Sequence, residues 1–235
     1  MTAKTAYFIT GTDTGIGKTL VSSALLHALV QRGVRAAGMK PIAAGTELRD
    51  GIWHNDDVDS MAAAANVNLP LELMSPYLLH EAAAPHIAAA LENTKIEVAH
   101  ILSCYNRVCA MADAVVVEGV GGFRVPLSDQ EDTADLAQQL GLPVIMVVGL
   151  RLGCLNHALL TADAIKARGL KLAGWVANVV DLGMQHGLAN MEALRARLPA
   201  PLLGCVPRLD APLAAAAAKH VDFSSLPGWP GESVK

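Results

Sequence analysis

Residues 11–19, with the sequence GTDTGIGKT, constrain the fold of this chain more than any other feature. An apolar run at residues 7–10 precedes them, and a run with helical spacing at residues 20–30 follows. A strand, a glycine-rich turn, Gly-Lys-Thr and a helix form the context in which a phosphate-binding loop occurs. Glycines let backbone N–H groups surround a polyphosphate, and the helix N-terminus directs its positive end at the same anion. The segment therefore predicts a nucleotide-binding α/β fold.

The predicted loop departs from the strict spacing of such motifs. Five residues separate Gly11 from Gly17, where strict spacing needs a glycine at the position of Thr12. Either the loop is longer by one residue or its first glycine is replaced. The alternative is a glycine-rich turn with a solvated lysine, which explains neither Lys18 nor Thr19. Under the first interpretation, Lys18 reaches the β- and γ-phosphates and the Thr19 hydroxyl holds Mg²⁺.

The composition favours a single large domain with a sizeable core. Of 235 residues, 52% are apolar and 17% charged, which argues against disorder. The net charge of −4 offers no broad basic field, so we expect neither nucleic acid nor an anionic membrane as a partner. No apolar run approaches the ~20 residues of a membrane-spanning helix, and no signal pattern is present. Four scattered cysteines predict reduced thiols, two of them (Cys104 and Cys109) on one helix, and a cytoplasmic protein.

Runs of strand length alternate with runs of helical spacing along the chain. This alternation predicts one doubly wound α/β domain over residues 1–235, with a mostly parallel sheet and helices on both faces, of the P-loop NTPase type. Residues 43–55 are expected to be a loop that is mobile or ordered by ligand, and residues 66–94 an insertion with short helices. The Pro/Gly-rich tail from about residue 225 is expected to fray.

Polar residues follow several predicted strands at the edge where ligands bind in parallel sheets. Glu118 ends a buried strand and Asp57 begins a helix, so with Thr19 they are the candidate Mg²⁺ ligands. Asp56 and Asp59 are rivals of Asp57 that spacing does not exclude. The alternatives are a solvent-facing carboxylate for Glu118 and a helix cap for Asp57.

Three further positions are candidates for ligand contact. Lys40 follows a strand and could stabilise a transferring phosphoryl group or a substrate anion, or it could be an exposed lysine. The segment at residues 150–157 opens a helix through Gly153, where free N–H groups could hold a carboxylate, as an alternative to an ordinary helix start. The Asn178 amide could pair with a base edge or cap a loop.

Together, several stretches resemble the dethiobiotin synthetase family, the ATP-dependent carboxylases of biotin synthesis. The resemblance runs from about residue 5 to about residue 210, and the family's loop carries the same extra residue. The motifs that carry it lie at residues 11–14, 17–19, 40–43, 117–122, 124–127, 149–160, 174–178 and 201–204.

The resemblance implies a reaction. The substrates are 7,8-diaminononanoate, CO₂ (or bicarbonate) and ATP. A carbamate on one amine attacks the γ-phosphate, and the second amine closes the ring of the resulting carbamic–phosphoric anhydride. The products are dethiobiotin, ADP and phosphate.

The resemblance also implies residue roles. By this resemblance, the catalytic residues are Lys18 and Lys40. The residues that bind Mg²⁺ are Thr19, Asp57 and Glu118. The nucleotide-binding residues are Thr14, Gly15, Ile16, Gly17, Lys18, Thr19, Asp57, Glu118, Gly119, Gly121, Asn178, Pro207, Arg208 and Leu209. The substrate-binding residues are Lys40, Ala44, Leu152, Gly153, Cys154, Leu155 and Asn156. In the family the last five come from a second subunit, which implies a homodimer with its active site near the interface.

One position departs from the family. A serine that contacts the substrate is usual where Ala44 stands, and a lost neutral hydrogen bond costs ~1 kcal/mol. We therefore expect weaker substrate binding with activity retained, and Thr46 is a possible substitute of unknown position.

Two other functions compete with this interpretation. A partition- or septum-type switch ATPase shares the deviant loop, but such proteins carry an extra lysine near its start, and residues 11–14 contain none. A non-catalytic nucleotide-binding module leaves the arrangement of Lys40 and Glu118 unexplained.

Overall fold

The computed structural model describes residues 5–231. The strands are β1 (Thr5–Gly11), β2 (Ala36–Met39), β3 (Ile42–Ala44), β4 (Glu47–Arg49), β5 (Ile52–His54), β6 (Tyr77–Leu79), β7 (Ala114–Glu118), β8 (Val144–Leu150), β9 (Leu172–Val179) and β10 (Leu202–Val206). The helices are α1 (Lys18–Gln31), α2 (Asp56–Ala64), α3 (Leu71–Met74), α4 (Pro85–Leu91), α5 (Val98–Met111), α6 (Thr133–Leu140), α7 (Cys154–Ala167), α8 (Gly187–Arg195) and α9 (Ala214–Ala218).

Six strands form the central sheet in the order β10-β9-β8-β1-β7-β2, and every pair is parallel. Side chains alternate between its two faces: Val115 and Val117 join one apolar cluster, and Ala114 and Val116 join the other. Helices α1, α2 and α9 contribute to the second cluster, and α4–α8 to the first. The predicted doubly wound α/β domain is confirmed.

The strand register brings the candidate residues to one edge of the sheet. Ile9 lies opposite Glu118 across the β1–β7 pair, so the loop after β1 begins beside the Glu118 carboxylate. Met39 lies opposite Val117 across the β2–β7 pair, which places Lys40 at the same edge. The functional candidates therefore converge because three parallel strands end together.

Residues 43–55 are more ordered than the sequence analysis predicted. Ile42–Ala44 pairs with Tyr77–Leu79, and β4 and β5 form an antiparallel hairpin. Asp50 and Gly51, which join these two strands, both have positive φ, of 50° and 79°. An Asp-Gly pair with positive φ at both positions is the preferred two-residue hairpin turn. The prediction of a loop is therefore wrong for residues 43–44 and for most of residues 47–54, which form strands.

The chain end also packs more tightly than predicted. Leu226 is buried, the Tyr7 hydroxyl donates to the Pro227 carbonyl at 2.9 Å, and the Thr5 hydroxyl donates to the Gly228 carbonyl at 2.8 Å. The Trp229 ring lies against Phe223. The prediction of a frayed tail is wrong for residues 226–229, because a buried leucine, an aromatic contact and two hydrogen bonds from β1 hold this segment. Residues 232–235 lie outside the described part.

Other local predictions are confirmed. Residues 66–94 contain the short helices α3 and α4, and Cys104 and Cys109 are buried on α5. All four cysteines of the chain are free thiols. Within residues 5–231, no helix combines the length and the apolar character needed to cross a membrane.

Candidate active site

The loop between β1 and α1 has the backbone of an anion cradle. Gly15 and Gly17 have φ of 70° and 90°, a region that L side chains rarely adopt. A Cβ at Gly17 would also lie 2.2 Å from the Asn178 amide nitrogen. Helix α1 begins at Lys18 with no side chain capping its N-terminus. Its first N–H groups and its positive end therefore face the loop, ready for an anion.

Lys18 projects into this cradle from the first turn of α1. Its side chain is buried, and its ammonium donates to the Asp13 carbonyl at 2.9 Å. Burial, together with the nearby Lys40 charge, lowers the pKa of Lys18 to about 8. A cation that is poorly compensated by the protein favours the arrival of a polyanion.

Lys40 lies at the centre of a buried ionic cluster. Its ammonium is 2.6 Å from Oε1 of Glu118, 2.8 Å from Oδ2 of Asp57 and 3.3 Å from the Gly119 carbonyl. The Thr19 hydroxyl lies 2.6 Å from Asp57 and 2.9 Å from Glu118. Since one hydroxyl has one proton, it donates to one carboxylate at a time. The structure thus brings the predicted Mg²⁺ ligands together around Lys40.

The opposite charges in this cluster stabilise the ionised forms of Lys40 and Asp57. Burial acts to lower the pKa of Lys40, but the Glu118 and Asp57 carboxylates outweigh it and hold the pKa above its usual value. Burial likewise acts to raise the pKa of Asp57, and the Lys40 ammonium outweighs it, so that this pKa is below its usual range. The lysine is therefore cationic and Asp57 anionic at neutral pH.

The rival carboxylates of Asp57 point elsewhere. Asp56 accepts from Arg49 at 2.7 Å, and Asp59 lies 2.9 Å from Nδ1 of His54. Both partners lie on the β4–β5 hairpin. Of the three acidic residues at the start of α2, Asp57 alone contacts Thr19 and Lys40 in the described structure.

The donor set suits a hard divalent cation. Oε2 of Glu118 is buried and has no hydrogen-bond partner within residues 5–231, which leaves a carboxylate oxygen available. Two carboxylates and a hydroxyl match the oxygen preference of Mg²⁺, which completes its shell with water and phosphate oxygens. In the described part of the chain, no group of three or more His, Cys, Asp or Glu side chains could hold a metal by itself.

A cavity of about 890 Å³ opens between the loop and the ionic cluster. Lys18, Thr19, Lys40 and Asp57 form its charged side. Apolar or small residues also line the cavity, namely Ala44, Ala82, Ala83, Ala84, Pro85, Gly121, Gly122 and Val125. Thr46, by contrast, bonds to Nδ1 of His80 at 2.8 Å and does not line this cavity. The site offers a charged end for phosphate chemistry and an apolar wall for a hydrocarbon.

The structure places the predicted base-binding residues in different surroundings, since one lines a second cavity and another contacts the phosphate-binding loop. Arg208 lies in a neighbouring cavity of about 590 Å³ with Gly15 and Arg151, while Pro207 and Leu209 do not line it. The Asn178 amide donates to the Ile16 carbonyl at 2.8 Å, and Asn178 is buried. Its NH₂ group therefore holds the phosphate-binding loop, which agrees with the loop-capping alternative of the sequence analysis, although the sequence did not indicate which loop.

The sequence analysis missed a second contact of this loop. Arg151, at the end of β8, forms an ion pair with the Asp13 carboxylate. Both residues lie in recognised motifs, yet nothing in the sequence pairs them, because 138 positions separate them. The pair fixes the outer turn of the loop to the strand that leads into α7.

Within one chain, the predicted carboxylate-binding segment lies outside the lining of the cavity that holds Lys40. Gly153, with φ of 93°, precedes α7, and no side chain caps this helix start. Leu152 is 91% exposed and Cys154 is buried. None of residues 152–156 lines the cavity beside the loop. The structure of one chain does not bring this segment to the ionic cluster.

The chain matches the AAA_26 family, described as an AAA domain, over residues 5–215. A relative from Janthinobacterium sp. (strain Marseille), named ATP-dependent dethiobiotin synthetase BioD, is 68% identical over 234 residues, covering 98% of this chain and 99% of that protein. The chain belongs to the ATP-dependent dethiobiotin synthetases. The family membership predicted from the motifs, and with it an ATP-dependent enzyme, is confirmed.

Solved structures of other proteins share the fold. A ParA family ATPase from Chlorobium tepidum TLS is similar with a TM-score of 0.58 and 14% identity, covering 92% of this chain and 91% of that one. The septum site-determining protein MinD from Pyrococcus horikoshii OT3, complexed with Mg-ADP, gives 0.54 and 17%, covering 97% and 88%. At this identity the likeness concerns the fold alone, a P-loop NTPase fold.

Proposed function

We propose that this protein makes dethiobiotin in biotin biosynthesis from 7,8-diaminononanoate, CO₂ and ATP. The observation that carries the proposal is the position of Lys40. Its ammonium lies between two carboxylates in the cavity that also receives Lys18 of the phosphate-binding loop. Two lysines at one cavity suit a reaction in which both the attacking group and the transferred group are anions.

The steps follow from the chemistry of the substrates. An amine nitrogen adds to CO₂ and loses a proton, giving a carbamate. A carbamate oxygen attacks the γ-phosphorus, and the bond to the β-phosphate oxygen breaks to release ADP. The second amine then attacks the carbamate carbon, phosphate leaves, and the ureido ring closes. Lys18 and Lys40 neutralise the phosphate and carbamate charges and hold the reactants in line.

Thr19, Asp57 and Glu118 would hold Mg²⁺. The ion would supply charge neutralisation at the β- and γ-phosphate oxygens. The hydroxyl and the unpartnered oxygen of Glu118 support this assignment.

The apolar side of the cavity suits the hydrocarbon chain of the substrate. Ala44 and the alanines at residues 82–84 expose methyl groups and no hydroxyl. Methylene groups bind such a surface through removal of apolar area from water, at about 25 cal/mol per Å². Ala44 therefore provides packing where a serine would provide a hydrogen bond.

A homodimer accounts for the position of this helix start outside the cavity lining of its own chain. The exposed N-terminus of α7 could receive a carboxylate from the cavity of a second copy. Leu152 and Leu160 on the same segment are 91% and 60% exposed, which suits an apolar interface. The four free cysteines are typical of a reducing compartment and support a cytoplasmic location.

The switch-ATPase alternative rests on fold alone. ParA and MinD proteins share the fold at low identity. Residues 11–14 of this chain lack the additional lysine expected of that class. The 68% identity to a protein named as a synthetase favours the enzyme.

Phosphate release tests the proposal. The protein is mixed with ATP, Mg²⁺ and bicarbonate, with and without 7,8-diaminononanoate, and the products are analysed by mass spectrometry. We expect release that depends on the diamine and a product with the mass of dethiobiotin. An equal rate of ATP turnover with and without the diamine would exclude the synthetase function and favour the switch-ATPase function.

A further inference from the structure

One wall of the cavity is formed by the segment that follows β7, and of its lining residues only Gly121 has a predicted role, in nucleotide binding. Gly121, Gly122 and Val125 line the cavity along this segment, which we call the inner wall (residues 121–125). The Val125 side chain packs so closely on Gly121 that a Cβ at Gly121 would lie 2.9 Å from it. The same Cβ would lie 3.6 Å from the Thr14 hydroxyl of the phosphate-binding loop. The inner wall therefore lies against the phosphate-binding loop, and both line the same cavity.

The Thr133 side chain holds the inner wall in place through hydrogen bonds to its backbone. The Thr133 hydroxyl accepts from the Val125 N–H at 2.9 Å and donates to the Phe123 carbonyl at 2.7 Å. The Thr133 N–H donates to the Val125 carbonyl at 2.9 Å. Thr133 is 2% exposed, so water does not replace these bonds readily if the hydroxyl is lost.

Thr133 lies at a helix start that a capping box and several ion pairs hold in place. It is the first residue of α6, and Asp132 and Asp135 cap this helix reciprocally in a capping box. Arg168, at the end of α7, pairs with both of these carboxylates, and Arg124 of the inner wall pairs with Asp132 at 2.8 Å. The hydroxyl is therefore held at a fixed position relative to the sheet.

We propose that Thr133 is a positioning residue that sets the inner wall for the diamine substrate. The inference rests on the proposed function, since it assigns the wall to the hydrocarbon of that substrate. The hydroxyl acts on the substrate through Val125 and touches no reacting atom. Its loss frees the Val125 N–H and the Phe123 carbonyl, and the wall then samples positions that fit the substrate poorly.

The test compares two substitutions, of which one removes the hydroxyl and the other keeps it. Thr133→Val keeps the shape and removes the hydroxyl, whereas Thr133→Ser keeps the hydroxyl. For Thr133→Val we expect the KM for the diamine substrate to rise about tenfold, and kcat and the KM for ATP to stay within about twofold. Thr133→Ser should restore a diamine KM close to that of the wild type.

A folded Thr133→Val protein with an unchanged diamine KM would overturn the inference. So would an equal rise in the KM values for diamine and ATP, which indicates general loosening. If Thr133→Val does not fold, Val125→Ala serves as the test. It shortens a side chain of the inner wall and keeps the Thr133 hydroxyl with its hydrogen bonds to the backbone. The diamine KM should rise selectively there, and an unchanged value would again overturn the inference. Wild-type protein without diamine-dependent phosphate release would instead refute the proposed function.

Discussion

The Lys40 ammonium lies 2.6 Å from a carboxylate oxygen of Glu118, and both side chains are almost completely buried. A buried ion pair costs desolvation energy that its attraction repays only with good geometry and further hydrogen bonds. The Gly119 carbonyl and the Asp57 carboxylate supply such bonds to the ammonium. A pair of this kind is weak support for stability as such, and its position beside the phosphate-binding loop indicates a role in the reaction.

Removal of the Lys40 charge should affect both activity and stability. For Lys40→Ala we expect dethiobiotin formation to fall by at least about 10²-fold, because the developing anionic charge loses its cation. The variant should also lose about 3 kcal/mol of unfolding free energy, since Glu118 is left buried and unpaired. Product formation by mass spectrometry and urea unfolding are the measurements.

Two variants serve as controls for this prediction. Lys171→Ala removes an exposed lysine elsewhere and should change neither quantity. Lys40→Ala/Glu118→Gln removes both charges and should recover part of the stability without activity. Near-wild-type turnover of Lys40→Ala would remove this lysine from the mechanism.

The lowered pKa of Lys18 predicts a pH dependence of nucleotide affinity. Without phosphate the pKa is about 8, and a bound triphosphate favours the protonated amine and raises it. Affinity is therefore fully present below pH 8 and falls as the pH rises through that value, by up to about tenfold per pH unit. Measurement of the ADP or ATP Kd from about pH 7 to about pH 9.5 would test this.

Lys18→Arg is the matched control, because its guanidinium keeps its charge over this range. Its Kd should show no comparable step near pH 8. A wild-type Kd that stays constant from about pH 7 to about pH 9.5 would contradict the prediction.

The Asn178 contact predicts a loss of phosphate affinity rather than a loss of base recognition alone. Asn178→Leu has a similar shape and removes the NH₂ donor to the Ile16 carbonyl without adding a charge. We expect about a tenfold weaker affinity both for ATP and for tripolyphosphate, which has no base. Calorimetric titration of both ligands distinguishes the two roles. If ATP alone binds more weakly, the base-edge role predicted from the sequence is correct and the loop-holding role is not.

The sequence predicts most of the fold because its signals are local. The glycine-rich turn before Lys18 and the apolar run at β7 define both the sheet and the edge at which ligands bind. Glu118 and Lys40 could be placed at this edge because each directly follows or ends a strand. Their convergence needed only the rule that parallel strands end together.

The remaining features depend on tertiary contacts or on a neglected turn signal. Asn178 and Ile16 are 162 positions apart, and no local pattern reports that an amide will hold a loop carbonyl. In the sequence, Thr133 looks like an ordinary first residue of a helix. Only the structure shows that its hydroxyl forms hydrogen bonds with both Val125 and Phe123. The Asp50-Gly51 turn is different, since its sequence alone is a hairpin signal.

Residues 152–156 do not line the cavity that holds Lys40 of the same chain, which predicts that an active site needs two chains. Gly153→Asp should abolish activity, because a fixed negative charge at the exposed helix start repels the substrate carboxylate. Aspartate tolerates a positive φ better than most residues, so the fold should survive. Lys40→Ala should also be inactive, for the reason given above.

Mixing these two inactive proteins then distinguishes shared from separate sites. If each site combines Lys40 of one chain with α7 of the other, a mixed dimer has one intact site and one with both lesions. After denaturation and refolding together, about a quarter of the wild-type activity should return, because half of the dimers are mixed. Each variant refolded alone should stay inactive. If each site lies within one chain, every site in the mixture carries a lesion, and an inactive mixture of demonstrated heterodimers would refute the shared site.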